Sequence, residues 1–517
     1  MPKIIKHYQL VILILVILVA IFFRFWQIRD YVVFLGDEGR DMIVMRDIFV
    51  KKHLPFLGPT ASVGGFYLGP IYYWMAAPFL LLANFDPVGP AYFVAALGVA
   101  TVFLLYKFLK EEISFWPAVI SSFLYATAPL IVRYSRSSWN PNPLPFFSLL
   151  LIYFLYLAIK KQKLILGPQS TGWWKGTANY AYYLLAGACF GVAIQLHYMA
   201  LLLAPIASLI VLVNTRPRVW FLSAVILIIG SLFTFSPFLI FEIRHNFPNF
   251  RTILEFVTRG TTVGYEHPDL ANSIANAGNI LIEDLMDLYR SPITRIIFWF
   301  LAIGGLIALF KHWKNSEKKL IFSIATIWFL GGLAGIRLYQ GQLYDYYFGF
   351  MFPAPFFLIG VLFSTVWQKL PLRLLCLLMA ILATTYFAFH SFYRIPPNKL
   401  IEQTSYIADF VIEKSDGEPF NFALISDHNS DHAYKYFLQT KNGQPLELET
   451  MVTNQLLIVC ESKKCEPLGH PLWEIAAFGR GEISGEWNLE KYGIKIFRLT
   501  HWPGEPSPAG KPAVKGG

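Results

Sequence analysis

Residues 10–41 read LVILILVILVAIFFRFWQIRDYVVFLGDEGRD: an apolar run from Leu10 to Phe25, then the acidic turn Gly36-Asp37-Glu38-Gly39-Arg40-Asp41. The run approaches the roughly 20 apolar residues needed to cross about 30 Å of hydrocarbon. Lys3 and Lys6 precede it as in a secretory signal, yet no small-residue cleavage site follows, so it reads as a retained anchor. Three carboxylates and an arginine then fall within five residues at a membrane boundary, where ionised groups are costly unless they have partners or water. Such a cluster is a functional-site hypothesis; the bland reading is a solvated loop.

The 517-residue chain repeats the apolar half of this pattern, with 55% hydrophobic and 15% charged residues, too apolar and charge-poor for an ordinary soluble enzyme. Eleven spans are expected, centred near residues 18, 98, 124, 152, 188, 207, 228, 301, 328, 357 and 382. Lysine-rich connections at Lys107 and Lys110, Lys160 to Lys175, Lys311 to Lys319 and Lys369, with Arg216, Arg218 and Arg373, occupy every second loop and mark the cytoplasmic side together with Lys3 and Lys6. This bias accounts for most of the net charge of +10, so no nucleic acid is expected as a partner.

Counting Phe66 to Phe85 as a further span would put Lys3 and Lys6 on the wrong side. Gly69-Pro70, Pro78 and the aromatic residues Phe66, Tyr67, Tyr72, Tyr73 and Trp74 fit an interfacial or re-entrant helix instead. The N-terminus is then cytoplasmic and the C-terminus exoplasmic, in a multi-pass protein of the plasma membrane. The fold class expected is an all-α polytopic membrane protein with membrane-parallel helices in the first exoplasmic loop and a small C-terminal exoplasmic α/β or α+β domain. The boundaries are 1–394 for the membrane domain, 395–500 for the soluble domain, with β-like stretches at Phe422 to Ile425, Leu456 to Cys460 and Lys495 to Leu499, and 501–517 for a disordered tail rich in Pro and Gly. Cys189 and Cys376 lie in apolar spans, whereas Cys460 and Cys465 flank a turn where a local disulfide can form in an exported segment.

Exoplasmic loops between the first loop and Lys399 carry Arg133, Arg136, Arg244, Arg251, Arg259, Arg290 and Arg337, with Arg295 at a helix boundary, and no lysine. Arg grips phosphate through a planar fork and is less strongly hydrated than an ammonium. The competing reading is that these arginines pair with Glu242, Glu266, Asp284 or Asp287 or reach for headgroups. His245, beside Arg244 and Glu242, suits phosphate contact or metal coordination better than His197, which sits at a turn between spans; Tyr265-Glu266-His267-Pro268-Asp269 is a second metal set without a specific ligand spacing. No nucleotide-binding loop, HExxH or GxSxG is present. Chemistry outside the cytoplasm without a nucleotide fold calls for an activated substrate delivered within the membrane.

Asp37-Glu38 with Arg40, the later Gly69-Pro70-Ile71-Tyr72-Tyr73-Trp74, the stretch Ala128-Pro129 through Arg133-Tyr134-Ser135-Arg136, and Tyr346-Tyr347 through Pro353-Ala354-Pro355 resemble the C-type glycosyltransferases. The likeness is to the family 39 group of protein O-mannosyltransferases and bacterial lipid A aminoarabinose transferases. Trp139-Asn140-Pro141-Asn142-Pro143 departs from it where some relatives place an acidic residue, and so does His197 where several place lysine.

The resemblance implies transfer of a sugar from a polyprenyl-phosphate donor to a protein, lipid or glycan acceptor, with inversion, at a site in contact with membrane lipids. Asp37 would be the general base and Glu38 its partner; Arg40, Arg136, Arg244 and His245 would hold the donor phosphate. Asp41, Tyr72, Asn140, His197, Arg337 and Tyr346 are candidate substrate contacts. No cofactor is required, and a divalent metal ion is compatible with the scheme. A lipid or solute transporter using the same acidic loop for binding is the alternative, set against clusters that sit in loops and a chain without internal repeat.

Overall fold

The computed structural model describes residues 2–61, 65–165, 177–259, 292–337, 344–503 and 509–513. The Tyr265–Asp269 set and Arg290 lie outside them, as do the side chains of Arg259, Arg295 and Arg337. The chain divides into two compact units, one of Met1–Trp26, Leu54–Ala76 and Ala91–Pro396, the other of Gln27–His53, Ala77–Pro90 and Pro397–Gly517.

The principal helices before residue 390 are α1 (Pro2–Phe25), α2 (Gly36–Val50), α3 (Ile71–Leu82), α4 (Val88–Glu112), α5 (Phe115–Thr127), α6 (Leu144–Ile165), α7 (Thr177–Leu196), α8 (Leu203–Asn214), α9 (Pro217–Arg244), α10 (Pro292–Lys311), α11 (Ser316–Arg337), α12 (Pro353–Val366) and α13 (Leu370–Phe389). All eleven expected centres fall in helices, in α1 and in α4 to α13. Among the described residues, six helices are long and apolar enough to cross a membrane, and a seventh span forms if Asp345–Met351 is counted with α12 across a 47° bend. Phe115–Thr127, Tyr180–Leu196, Tyr198–Asn214 and Trp299–Lys311 are apolar but shorter. The helix α3 has 12 residues with Pro78 inside it; at 1.5 Å per residue it reaches about 18 Å, short of the hydrocarbon thickness.

In the helical unit the closest packing is between α7 and α9. Gly187 on α7 faces the Leu227 carbonyl, and Gly230 on α9 faces that of Leu184, each so near that a Cβ would overlap the facing backbone. That approach lets Ser231 Oγ donate to the Gly187 carbonyl and Thr234 Oγ1 to that of Ala188, both at 3.0 Å, while Gln195 Nε2 donates to the Thr234 carbonyl at 2.8 Å. Lipid tails are as apolar as leucine, so small residues and interhelical hydrogen bonds hold such pairs together. Arg24, near the end of α1, is fully buried and donates to the Ala126 carbonyl at the end of α5 at 2.9 Å.

The second unit is built on a four-stranded sheet of order β1-β2-β4-β3, with β1 Asn421–Ile425, β2 Gln455–Cys460, β3 Gly481–Leu489 and β4 Ile494–His501. The apolar strands β1 and β2 pair in parallel and are buried throughout, as strands covered on both faces are; β3 and β4 are antiparallel. The three expected strands form, and β3 is additional. Its sequence GEISGEWNL carries two glycines, alternates in burial and is bulged between Ile483 and Gly485. The C-terminal part also holds three helices, α14 (Leu400–Lys414), α15 (His432–Thr440) and a short α16 (Trp473–Phe478). Cys460 and Cys465 form a disulfide, and Cys189 and Cys376 are buried thiols.

Within the 501–517 stretch, β4 extends to His501, and among the described residues Gly510 N–H donates to the Val452 carbonyl at 2.8 Å while Ala513 N–H donates to that of Leu448 at 2.8 Å. The C-terminal piece of this unit begins at Pro397, two residues from the expected start at 395. Two pieces of the first loop join it: Tyr436 Oη donates to the Phe85 carbonyl at 2.6 Å, Lys399 N–H to the Asp30 carbonyl at 3.0 Å, and Arg29 pairs with Asp86. Phe34 lies edge-on to Phe437 with ring centres 5.5 Å apart, so the segment entering α2 is seated on α15.

Candidate active site

The acidic turn is the first turn of α2. Leu35 precedes it in extended backbone and has no side-chain acceptor, so half of a reciprocal cap is missing. Glu38 supplies the other half, its Oε2 accepting from Leu35 N–H at 3.0 Å. Asn429, 393 residues away in sequence, satisfies a different donor of the same turn, its Oδ1 accepting from the first helical N–H, that of Gly36, at 2.9 Å.

The three carboxylates then separate by environment. The Asp37 side chain is 56% exposed and accepts from Arg40 Nη1 at 3.0 Å; that of Asp41 is fully buried and accepts from Arg40 Nη2 at 2.9 Å and Nε at 3.1 Å. Arg40 thus bridges the outer and inner acids. Glu38 is buried, and burial pushes its carboxyl up to about 8; the Leu35 and Glu38 backbone N–H groups oppose this, and the charges of Asp37 and Asp41 add to it. The raised acid, Glu38, is the buried member of the Asp37-Glu38 pair, and Asp37 is the solvent-facing one.

The glycines have a specific reason. A Cβ at Gly36 would overlap Ser430 Oγ, and one at Gly39 would overlap the backbone of Ala433, so both positions let α2 lie directly on the 429–433 segment. That segment brings His432, whose Nδ1 lies 3.0 Å from Ser430 Oγ and 3.5 Å from Asp431 Oδ1. Burial holds its imidazole below the ordinary histidine range; Asp431 and Asp37 oppose this, and Lys435 and Arg40 reinforce it. Sequence reasoning missed Asn429, Ser430 and His432. The signal was present in Ser426-Asp427-His428-Asn429-Ser430-Asp431-His432, a dense polar run leaving the carboxyl end of a buried parallel strand, where open sheets place their ligands.

In the helical unit, four candidates gather around residues 137–142. Tyr72 Oη shares a 2.7 Å hydrogen bond with Ser138 Oγ, and Asn140 Nδ2 donates to the Leu196 carbonyl at 2.7 Å. His197 Nδ1 accepts from Met199 N–H at 3.2 Å; its ring lies 5.5 Å from that of Tyr346, which packs 4.4 Å from Trp139. Arg136 lies apart from them, donating to the Phe23 carbonyl at 2.9 Å and the Trp26 carbonyl at 2.8 Å, with its guanidinium 3.8 Å over the Phe392 ring, so it caps the end of α1. Arg244 and His245 diverge. Arg244 is exposed at the end of α9, whereas His245 folds back onto its own helix, Nδ1 lying 2.8 Å from the Phe241 carbonyl. Glu242 is buried and accepts from Asn249 Nδ2 at 2.7 Å and Phe250 N–H at 3.1 Å. Among the described residues no three His, Cys, Asp or Glu side chains gather in a metal-holding group.

The family described as dolichyl-phosphate-mannose-protein mannosyltransferase matches residues 68–241, roughly a third of the chain, beginning beyond Asp37-Glu38. Compared by sequence with curated proteins, the chain matches none. Its structure is similar to ArnT from Cupriavidus metallidurans bound to undecaprenyl phosphate, with TM-score 0.57 and 13% identity over 95% of this chain and 97% of that one. The apo form of ArnT gives TM-score 0.58 at 12% identity, over 95% and 98%. The oligosaccharyltransferase AglB from Archaeoglobus fulgidus, in complex with an inhibitory peptide and a dolichol-phosphate, gives TM-score 0.50 at 15% identity over 87% of this chain; the chain spans 65% of AglB. The fold is that of the C-type glycosyltransferases. The chain is an integral membrane protein that resembles protein mannosyltransferases and aminoarabinose transferases.

Proposed function

We propose that this protein is a glycosyltransferase that moves a sugar from a polyprenyl-phosphate donor to a hydroxyl or amine acceptor at the exoplasmic face. The observation that carries the reading is the first turn of α2, where an exposed Asp37 stands beside a buried Glu38 on a fold shared with ArnT and AglB. The acceptor oxygen or nitrogen attacks the anomeric carbon as the bond from that carbon to the phosphate oxygen breaks. Asp37 takes the acceptor's proton, and the polyprenyl phosphate leaves with the bonding pair, so one displacement inverts the centre.

Glu38, its carboxyl raised by burial, keeps a second negative charge away from the base, and Arg40 Nη1 orients Asp37 by donating to its Oδ1 at 3.0 Å. For the donor phosphate, the expected contacts that stand exposed in the helical unit are Arg244 and His245 at the end of α9. No step is routed through a metal ion.

The test uses purified full-length protein in detergent with a polyprenyl-phosphate-linked sugar. Asp37→Asn is expected to lower transfer by at least about 100-fold, in the range that loss of a general base gives, with donor binding retained. Transfer that survives in Asp37→Asn removes the base assignment; protein that neither binds nor consumes such donors removes the enzyme reading.

A further inference from the structure

Resting on the reading of Asp37 as the base, we propose that Asn429 and Glu461 are positioning residues for the acidic turn, acting as a helix cap delivered to α2 by the C-terminal sheet. The exposed backbone N–H groups of a helix's first turn need acceptors, and α2 begins after a leucine that has none to offer. Asn429 Oδ1 takes the Gly36 N–H at 2.9 Å and, at the same distance, the N–H of its own neighbour Ser430.

The amide cannot turn over, because its Nδ2 donates to both carboxylate oxygens of Glu461 at 3.1 Å. Glu461 is itself gripped by Ser426 Oγ at 2.9 Å and by Tyr434 Oη at 2.6 Å. Burial and the Glu461 charge raise the Tyr434 phenol, so Tyr434 remains a donor. Glu461 also directly follows β2, where its N–H donates to the Ile425 carbonyl at 2.9 Å and its neighbour Cys460 is tied to Cys465. The chain of contacts runs from the rigid end of the sheet, through one carboxylate and one amide, to the residue before Asp37. Its geometry sets where the first turn of α2 begins and hence where Asp37 and Glu38 point.

Two readouts test this. Asn429→Ala is expected to lower kcat on the order of ten- to a hundredfold, the effect of a misplaced group, with KM for the lipid-linked donor unchanged. It should also speed amide exchange at Gly36. Asn429→Asp alone sets two carboxylates together and should behave the same way. The double variant Asn429→Asp, Glu461→Gln exchanges amide and carboxylate: the group at 429 again accepts from Gly36 and the group at 461 donates to it. It should restore both kcat and exchange protection to within a few-fold, which loss of general domain stability would not predict.

Wild-type exchange at Gly36 in Asn429→Ala, or failure of the exchanged pair to restore protection, overturns the proposal whatever Asp37 does. If Asp37→Asn retains transfer, the base assignment falls separately, and the exchange experiment still decides whether Asn429 caps α2.

Discussion

Glu38 differs from Asp37 above all in its burial, and that difference has a measurable consequence for stability. Its pKa rises from an ordinary 4.5 in the unfolded chain to about 8 in the folded one. As the pH increases the unfolded chain therefore loses this proton first, so the contribution is fully present below about 4.5 and is lost as the pH climbs towards about 8. Thermal melts of the detergent-solubilised protein should show stability falling across that window, and Glu38→Gln should flatten the fall. An unchanged pH dependence in Glu38→Gln would mean that the buried carboxyl does not titrate this way. The density of the Asp-Glu-Gly-Arg-Asp run was legible in the sequence. The division between exposed and buried acids was not, because five residues of sequence carry no record of which side chain a segment nearly 400 residues away will cover. Arg136 shows the same limit: its residue type fits phosphate, while its place in the fold sets it on the carbonyls ending α1.

At the scale of elements, glycines decide two interfaces. Gly187 and Gly230 bring α7 and α9 into backbone contact, so Gly187→Val should separate them at a cost of about 1–3 kcal/mol, the usual range for overpacking. The check is a lowered melting temperature together with a weakened cross-link between cysteines placed along the two helices. Gly39→Val should act on the other interface, lifting α2 from α15 and reducing transfer while the helical unit keeps its melting behaviour. Helix positions were legible, since long apolar runs report burial in lipid wherever they fall. The strand β3 was not, because its two glycines and half-polar alternation resemble loop composition until β4 pairs with it.

The molecule as a whole divides at Pro396/Pro397, two residues from the boundary expected at 394/395, and again inside the first loop, where the sequence shows none. Hydropathy reads along the chain, and by that measure Gln27–His53 and Ala77–Pro90 are parts of one loop; in space they group with Pro397–Gly517. A protein ending at Pro396 should therefore still insert its helices but show no sugar transfer, assayed in membranes with a lipid-linked donor. Full activity in that truncation would mean that α2 holds its geometry without the sheet. The partnership of Asn429 with Gly36 also orders events during synthesis. The acidic turn leaves the ribosome 393 residues before its cap. A chain interrupted before Asn429 thus carries its carboxylates in an uncapped helix start, and the geometry of that turn is acquired only when the later segment arrives.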